Sequence, residues 1–449
     1  MASSYPFHLL LFLGVFLLAV GDKSSSQPTS GDQATLLAIK KEWGNPRQLV
    51  SWDPVANADH CNWTGVVCSG GRSGVVTGIS LPKLNLTGKV PESLCDLPSL
   101  SRLDLSYNNL TGGFPGASLY ECSQLRFLDL SNNAFHGVLP GDISRLSPAM
   151  EHLNLSTNYF GGTVPAAVAG LPALRSLLLD TNQFTGAYPA AEISKLARLE
   201  QLTLALNPFV PAPAPPEFAK LTNLSYLWMS EMNMTGQIPK AYSSLANLEL
   251  IAVNNNHLTG EIPAWVWQHP KLEYVYLYNN GLTGELPRKI KSANLIELDV
   301  SSNKLMGELP EDFSSLKNLS LLFLYNNQLT GTIPATTAML PNLRGIRLYG
   351  NQLSGELPAK LWLLPKLNNL NVENNSFTGA LPTKIPNNIQ WLDVGNNKFS
   401  GSLPTSATGL LVFRAANNLL SGELPADVSK FAKLTRLVLS GNQLTGAIP

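Results

Sequence analysis

The sequence predicts an α/β solenoid, a right-handed superhelix of short stacked coils with one parallel sheet along its concave side. Three observations predict it. A frame of apolar residues and asparagine recurs every 21 to 25 residues, apolar and other residues alternate at its centre, and most frames end in a glycine and proline turn. One coil cannot bury its own apolar side chains, so stability has to come from stacking against neighbours.

The frame reads L-x-x-L-x-L-x-x-N-x-L-x-G-x-(I/L)-P, and its period lies in the range of leucine-rich repeats. Its L-x-L core predicts a short strand with one buried and one open face. We number the sixteen frames as coils one to sixteen, which open at Val76, Leu100, Leu125, Met150, Leu174, Leu199, Leu224, Leu248, Leu272, Leu295, Leu319, Leu343, Leu367, Ile389, Leu410 and Leu434. The repeats therefore span residues 76–449, and the last one is incomplete.

The other residues of the frame have separate physical tasks. The asparagine amide can satisfy backbone groups of neighbouring coils inside the apolar stack. Glycine suits the tight turn that follows, and proline fixes φ on the return path, where no N–H donor is needed. Leu84 and Met232 replace the asparagine in coils one and seven; it stands elsewhere at Asn108, Asn133, Asn158, Asn182, Asn207, Asn256, Asn280, Asn303, Asn327, Asn351, Asn375, Asn397, Asn418 and Asn442.

The segment before the first coil predicts export and an N-terminal cap. Leu9 to Val20 is an apolar run too short to span a bilayer, which indicates a signal peptide over residues 1–26; a buried core helix is the alternative. Residues 27–75 form the cap, with a helix that begins near the capping-box spacing Ser30 to Gln33 and ends before Gly44.

The four cysteines fit an exported protein. Cys61 and Cys68 are the expected disulfide, and a zinc site that includes His60 is the competing interpretation, with a spacing that suits zinc poorly. Cys95 and Cys122 lie little more than one repeat apart, so we expect them on neighbouring coils, where they either bridge or stay free.

Composition argues against several classes of function. Lys+Arg and Asp+Glu both number 31 and charged residues make up 14% of the chain, so neither nucleic acid nor an anionic membrane is indicated as a partner. The histidines are scattered, and no metalloprotease, phosphate-loop or nucleophile-elbow motif occurs. Asp104, Asp129 and Asp299 share one strand position, where solvated carboxylates are expected rather than acid/base catalysts. The sequence predicts no enzyme, cofactor or metal.

Two stretches depart from the frame. Pro208 to Pro216 replaces the glycine turn of coil six, which predicts a loop on the convex flank, with a functional island as the alternative. The chain stops at Pro449 inside coil sixteen without a second cap, and we expect a fragment that is difficult to express alone.

Side chains at the second, fourth, sixth and seventh positions after each opener face the concave side. In coils seven to twelve, aromatic and charged residues are concentrated at these positions, whereas coils one to six have mainly small polar residues there. Aromatic and Arg side chains are the usual anchors of binding surfaces, although cross-strand stacking alone is the alternative explanation. The predicted ligand-binding residues are Tyr226, Trp228, Glu231, Tyr274, Tyr276, Tyr278, Phe323, Tyr325, Arg347 and Tyr349.

Five strand spacings cover roughly 24 Å, enough for about seven extended residues of a linear peptide. None of the predicted N-glycosylation sites is one of the frame asparagines given above. The sites are Asn62, Asn85, Asn109, Asn154, Asn223, Asn233, Asn318 and Asn374. Asn154 lies on a concave strand, where a glycan would obstruct coil four and leave coils seven to twelve for the ligand.

The L-T-G-x-(I/L)-P turns and the cap motif Cys-Asn-Trp-Thr-Gly-Val-Val-Cys68 resemble the plant-specific repeats, about 24 residues long, of leucine-rich repeat receptor-like kinases. Asp32-Gln-Ala-Thr-Leu-Leu37 and Leu94-Cys-Asp-Leu-Pro-Ser-Leu100 are most similar to the HAESA-like subfamily. The resemblance implies that the chain is the ectodomain of a plant signalling or defence receptor and lies outside the plasma membrane. The whole receptor would also have a membrane helix and a Ser/Thr kinase, which this sequence does not include. Its implied partners are a secreted peptide and a short leucine-rich repeat co-receptor.

Several members of that subfamily hold a peptide carboxylate with two arginines on one strand. Here Arg347 matches the second, but Gly345 stands at the first, which puts a free-carboxylate ligand in doubt. The alternatives are a secreted inhibitor of a cell-wall hydrolase, similar to polygalacturonase inhibitors, and a soluble decoy or scaffold.

Overall fold

The structure, a computed structural model, describes residues 30–70 and 74–449, which form a stack of coils behind an N-terminal cap. The predicted signal peptide, residues 1–26, lies outside the described residues. Alternation within each coil decides which side chains enter the core: Leu103 and Leu105 are fully buried, whereas Arg102 and Asp104, which alternate with them, face outward. The solenoid predicted from the frame is confirmed.

One sheet of seventeen strands lines the concave side. Val66–Ser69 pairs antiparallel with Val75–Ser80, and each later strand pairs parallel with the strand of the preceding coil. Those later strands are Arg102–Asp104, Phe127–Asp129, His152–Asn154, Ser176–Leu178, Gln201–Thr203, Tyr226–Trp228, Leu250–Ala252, Tyr274–Tyr276, Glu297–Asp299, Leu321–Phe323, Gly345–Arg347, Asn369–Asn371, Trp391–Asp393, Val412–Arg414 and Arg436–Val438. Equivalent residues of successive coils therefore stand side by side in rows.

The return path of each coil holds a short flank strand and usually one helical turn. The flank strands are Thr87–Gly88, Asn109–Gly112, Ala134–Val138, Tyr159–Gly162, Gln183–Phe184, Ala212–Pro213, Met234–Gly236, His257–Glu261, Gly281–Thr283, Met306–Glu308, Gln328–Thr330, Ser354–Glu356, Ser376–Thr378, Ser400–Gly401, Leu419–Glu423 and Gln443–Thr445. They pair between neighbouring coils in short separate sheets.

Most helical turns on the convex side are 3₁₀ turns. They are Glu92–Asp96, Ile143–Arg145, Ala166–Gly170, Pro216–Lys220, Lys240–Ser244, Ala264–Trp267, Glu311–Ser315, Ala335–Met339, Ala359–Leu363 and Val428–Phe431, with α-helical turns at Gly116–Leu119 and Ala190–Ile193. A proline directly precedes most of them, as Pro239 does before Lys240. Such a tight coil has room for a single turn, so the α component of the fold is small.

The ladder asparagines join successive coils. Asn158 shows the pattern: its Nδ2 donates to Leu130 O at 3.0 Å and to two carbonyls of its own coil, while its Oδ1 accepts from Phe135 N at 3.1 Å. One buried amide thus satisfies four backbone groups, two of them in the preceding coil. The ladder function expected from the sequence is confirmed.

The cap covers the open side of the first coil. Its helix Ser30–Glu42 buries Leu36 and Ile39 completely, and the buried Asp32 carboxylate accepts a hydrogen bond from Val76 N at 2.8 Å. The 3₁₀ turns Arg47–Leu49 and His60–Asn62 follow. No helix in the described part of the chain is long and apolar enough to cross a membrane.

Two disulfides connect the four cysteines. Cys61 and Cys68 are bonded with a Cα–Cα distance of 5.6 Å, so the disulfide interpretation holds and these sulfurs are not zinc ligands. Cys95 and Cys122 are also bonded, with a Cα–Cα distance of 4.9 Å, which resolves the question left open by the sequence. The second bond joins the convex turns of coils one and two.

Candidate ligand-binding surface

The structure places the ten residues predicted to bind ligand on the concave sheet or in the turn directly after it. Nine are half-buried, and Glu231 is exposed. We call these ten residues the concave strip. Glu231 adopts a left-handed backbone with φ of 53°, at a position where asparagine is common in other coils, and its Oε1 accepts a hydrogen bond from Asn255 Nδ2 at 2.8 Å.

Coils eleven and twelve bring four strip residues into direct contact. The rings of Tyr325 and Tyr349 stack at 4.4 Å with an interplanar angle of 10°. The ring centroid of Phe323 lies 6.5 Å from that of Tyr325, and the guanidinium of Arg347 lies over the Phe323 ring at 4.6 Å. These contacts hold one cation against an aromatic surface that is open to the concave side.

Two other coils interrupt the strip. Leu250 and Ala252 of coil eight stand between Tyr226–Trp228 and Tyr274–Tyr276. Glu297 and Asp299 of coil ten stand between Tyr274–Tyr276 and Leu321–Phe323. Aromatic residues are therefore concentrated in coils seven, nine and eleven, and the two acidic residues of coil ten, which were not predicted as site residues, lie between them.

Glu297 directly contacts the strip. The Tyr276 hydroxyl donates to its Oε2 at 2.5 Å. Burial raises the pKa of Tyr276 far above its ordinary value, and the hydrogen bond to the carboxylate raises it further. The phenol is therefore a neutral donor at physiological pH, and it orients a carboxylate at the centre of the strip.

Asp299 lies deeper and closes a turn. Its Oδ1 accepts from Ser301 N at 3.0 Å and from Ser301 Oγ, and the residue is only 9% exposed. Burial raises its pKa to about 6, opposed by the Ser301 hydrogen bonds and then by the Arg347 charge. The expectation of a solvated carboxylate is wrong for Asp299, because the side chain folds back onto the backbone of its own turn.

The local packing accounts for the single arginine on strand Gly345–Arg347. A Cβ added to Gly345 would meet Leu321 Cδ2 at 2.9 Å and Phe323 Cε1 at 3.6 Å. Leu321 therefore covers the position where a first arginine would project. Strand Gly345–Arg347 therefore offers one guanidinium where the two-arginine arrangement needs two.

A further aromatic group occurs on the concave face of coils two to four, where the sequence suggested mainly small polar residues. The Arg102 guanidinium lies 3.5 Å from the Phe127 ring, which stacks on His152 at 4.2 Å. Burial lowers the pKa of His152 to about 4, so the imidazole is neutral at physiological pH. These residues occupy one row across three neighbouring strands. The row is not evident from the position of each residue in its own coil.

Seven predicted glycosylation sites carry exposed side chains, but Asn154 does not. Asn154 is 9% exposed, its Nδ2 donates to Asp129 Oδ2 at 3.0 Å, and its Oδ1 accepts from Ser156 N and Oγ. A glycan on Nδ2 would break this network, so the structure argues against Asn154 as an acceptor. Without a glycan at Asn154, coil four would be unobstructed.

Three family models match five segments of the chain. The leucine rich repeat N-terminal domain matches residues 29–69, and leucine rich repeat models match residues 79–135, 271–293, 294–316 and 388–410. Among curated relatives from Arabidopsis thaliana, the receptor protein kinase EMS1 is 35% identical over 99 residues, covering 22% of this chain and 8% of its own length. Polygalacturonase inhibitor 1 is 36% identical over 105 residues, covering 23% of this chain and 31% of its own length.

Solved structures match over much longer ranges. The TDR receptor has a TM-score of 0.78 and 36% identity, covering 83% of this chain and 65% of its own. The Arabidopsis receptor kinase HAESA, solved with the peptide hormone IDA and the co-receptor SERK1, has a TM-score of 0.64 and 28% identity, covering 94% and 87%. A leucine-rich repeat protein of Leptospira interrogans has a TM-score of 0.64 and 30% identity, covering 82% and 91%.

The matched segments span between 8 and 32% of the curated relatives' own lengths. The structural matches, in contrast, extend over nearly all the coils. The chain therefore belongs to the leucine-rich repeat family and is similar to the ectodomains of plant receptor kinases.

Proposed function

We propose that this chain is the extracellular ligand-binding part of a receptor-like kinase, and that its concave strip binds a secreted linear peptide. One observation carries the proposal: the strip combines open aromatic rings with a single cation, Arg347, held against Phe323. Aromatic rings bury a large area at a small cost in side-chain entropy, and therefore anchor flexible ligands well.

The shape of the surface supports a peptide more than a small molecule. The strip extends over six coils of an open parallel sheet, and a length of roughly 24 Å suits about seven extended residues. HAESA, whose fold this chain resembles, was solved with a peptide hormone and a co-receptor. By analogy, a short leucine-rich repeat co-receptor is the second partner of this chain.

Export agrees with the described disulfides and with the exposed glycosylation sites. The membrane and kinase segments of such a receptor belong to the longer protein, and nothing in the described coils is proposed to catalyse a reaction. The carboxylates that suggested acid/base chemistry serve the turns of the sheet, as Asp299 does.

Inhibition of a cell-wall hydrolase is the second candidate. The relative that favours it is the Arabidopsis polygalacturonase inhibitor, which is 36% identical over 105 residues. The concave strip would then cover an enzyme surface instead of a peptide. A purified polygalacturonase tested with and without the chain distinguishes the two candidates.

The direct test is a triple substitution, Tyr276→Ala, Tyr278→Ala and Tyr325→Ala, with binding of candidate secreted peptides measured by titration calorimetry. Removing three anchors should weaken a bound peptide by at least about tenfold. Tyr107→Ala and Tyr159→Ala provide the control, because both tyrosines are exposed outside the strip. Unchanged affinity in the triple variant would refute the proposed site.

A further inference from the structure

The proline-rich stretch of coil six forms an exposed apolar ridge on the flank of the solenoid. Pro211 takes the place of the turn glycine, and Pro211, Pro213 and Pro216 are exposed, as is Val210 at 47%. Ala212–Pro213 still pairs with Met234–Gly236 of the next coil. The ridge is therefore built into the stack and does not loop away from it.

Tyrosines of the two adjacent coils clamp this ridge. The Tyr188 hydroxyl donates to Pro213 O at 2.8 Å, and the Tyr242 hydroxyl donates to Pro215 O at 3.0 Å. Tyr188 also packs edge to face on Phe209, with ring centroids 5.5 Å apart. Since proline fixes φ as well, the ridge is rigid before any partner arrives, which lowers the entropic cost of binding to it.

A shallow cavity that is open to solvent, with a volume of 290 Å³, lies between the ridge and coil five. Tyr188 and Ala190 form one wall; Ala212, Pro213 and Pro216 form the other, and Glu217 stands among the lining residues. The proline residues have no N–H, and the Tyr188 hydroxyl is already directed at Pro213 O. The lining side chains therefore offer apolar surface and one anionic acceptor.

We propose that this cavity is a docking site for a partner-protein segment that inserts an aromatic ring and places a cationic group beside Glu217. The apolar walls suit contact with the face of one indole or phenol ring. An N–H or O–H of the ring can donate to the Glu217 carboxylate, and a neighbouring cation complements the charge of that carboxylate. The docking site lies on the flank and is independent of the concave strip.

Tryptamine is the probe, because it joins an indole ring to an ammonium group. Indole-3-propionate, with the same ring and a carboxylate, is its matched comparison. Ligand-observed saturation-transfer NMR on the full chain should show tryptamine binding roughly two- to fivefold more tightly than indole-3-propionate, as expected for an exposed ion pair. Absence of tryptamine binding would overturn the proposal.

Two substitutions locate the bound probe. Ala187 lines the cavity and is exposed, so Ala187→Phe should fill the cavity without disturbing the core, whereas Ala187→Ser should leave it open. We expect loss of tryptamine binding in the first variant and retention in the second. Glu217→Gln should remove the preference for tryptamine over indole-3-propionate. Equal binding by the native chain and Ala187→Phe would place the probe elsewhere and refute the docking site.

Discussion

At the scale of single residues, Asp299 and Asn154 perform the same structural task with different charge. Each is the fourth residue after its frame opener, and each accepts hydrogen bonds from the backbone and hydroxyl of the serine two positions later. The asparagine does so without ionising. Coil four thus shows that this turn accommodates a neutral amide.

We expect Asp299→Asn to stabilise the protein near pH 7 by about 1–2 kcal/mol. The pKa of Asp299 in the folded protein, about 6, lies above the unfolded value, so burial of the ionised carboxylate costs stability. This cost is absent below pH 4, where the carboxyl group is protonated, and it is complete once pH has risen through 6. Native and variant chains should therefore converge in denaturant stability at pH 4 and diverge toward pH 7. A difference independent of pH would contradict this account, as would a less stable variant at pH 7.

The reciprocal substitution is the control. Asn154→Asp places a carboxylate beside Asp129, whose Oδ2 accepts a hydrogen bond from the Asn154 amide. Two adjacent carboxylates repel each other, so this variant should lose stability as pH rises from 4 to 7.

Several site residues were predictable from position alone. Tyr274, Tyr276 and Arg347 occupy outward positions, and alternation is sufficient to place them on the concave face. Asp299 and Glu297 occupy the same positions but were missed as members of the site. Whether an outward side chain stands free or folds back onto a turn depends on contacts that alternation does not describe.

At the scale of the coil, the asparagine ladder supplies hydrogen-bond partners to backbone groups that are buried inside the apolar stack. Asn303 Nδ2 donates to Leu277 O, Val300 O and Ser301 O, each at 3.1 Å, and its Oδ1 accepts from Leu282 N at 3.0 Å. Coil seven lacks this amide at Met232, and there the Asn233 side chain donates to Phe209 O at 2.9 Å.

We expect Asn303→Leu to destabilise the protein by about 2–4 kcal/mol, because it leaves buried backbone groups without partners. Asn294→Ala is the comparison, since that exposed amide donates one hydrogen bond, to Pro270 O at 2.7 Å, and its loss should cost less than about 0.5 kcal/mol. Urea unfolding followed by tryptophan fluorescence measures both. Equal losses in the two variants would refute the ladder account.

The elements themselves were predictable to different degrees. The strands follow from strict alternation, and the cap helix from the capping-box spacing of Ser30 and Gln33 and from Gly44 at its end. The 3₁₀ turns were not predicted, because a single turn has too few residues for a helical period to appear. The Cys95–Cys122 bond depended on the position of two convex turns relative to each other, which spacing alone left open.

At the scale of the whole molecule, the exposed glycosylation sites are distributed from the cap to coil thirteen, outside the concave strip. In protein secreted from a eukaryotic host, we expect glycans at Asn62, Asn85, Asn109, Asn223, Asn233, Asn318 and Asn374 and none at Asn154, because only the last amide is buried in a network. Mass spectrometry after enzymatic deglycosylation in water labelled with oxygen-18 measures the occupancy of each site. A glycan at Asn154 would contradict the described packing of coil four.

The alternation of coil types along the strip has a consequence for any ligand that lies extended across it. Aromatic coils seven, nine and eleven are separated by two strand spacings, roughly 9.6 Å, and three residues of an extended chain advance roughly 9.9 Å. Because successive side chains of an extended ligand point to opposite sides, only residues an even number apart face the sheet together. Ligand side chains and rings therefore coincide at residues six apart, whose separation of roughly 19.8 Å matches the four strand spacings, roughly 19.2 Å, between coils seven and eleven. Inserting or deleting one residue between two such coincidences would put the following side chains out of phase with the rings beneath them.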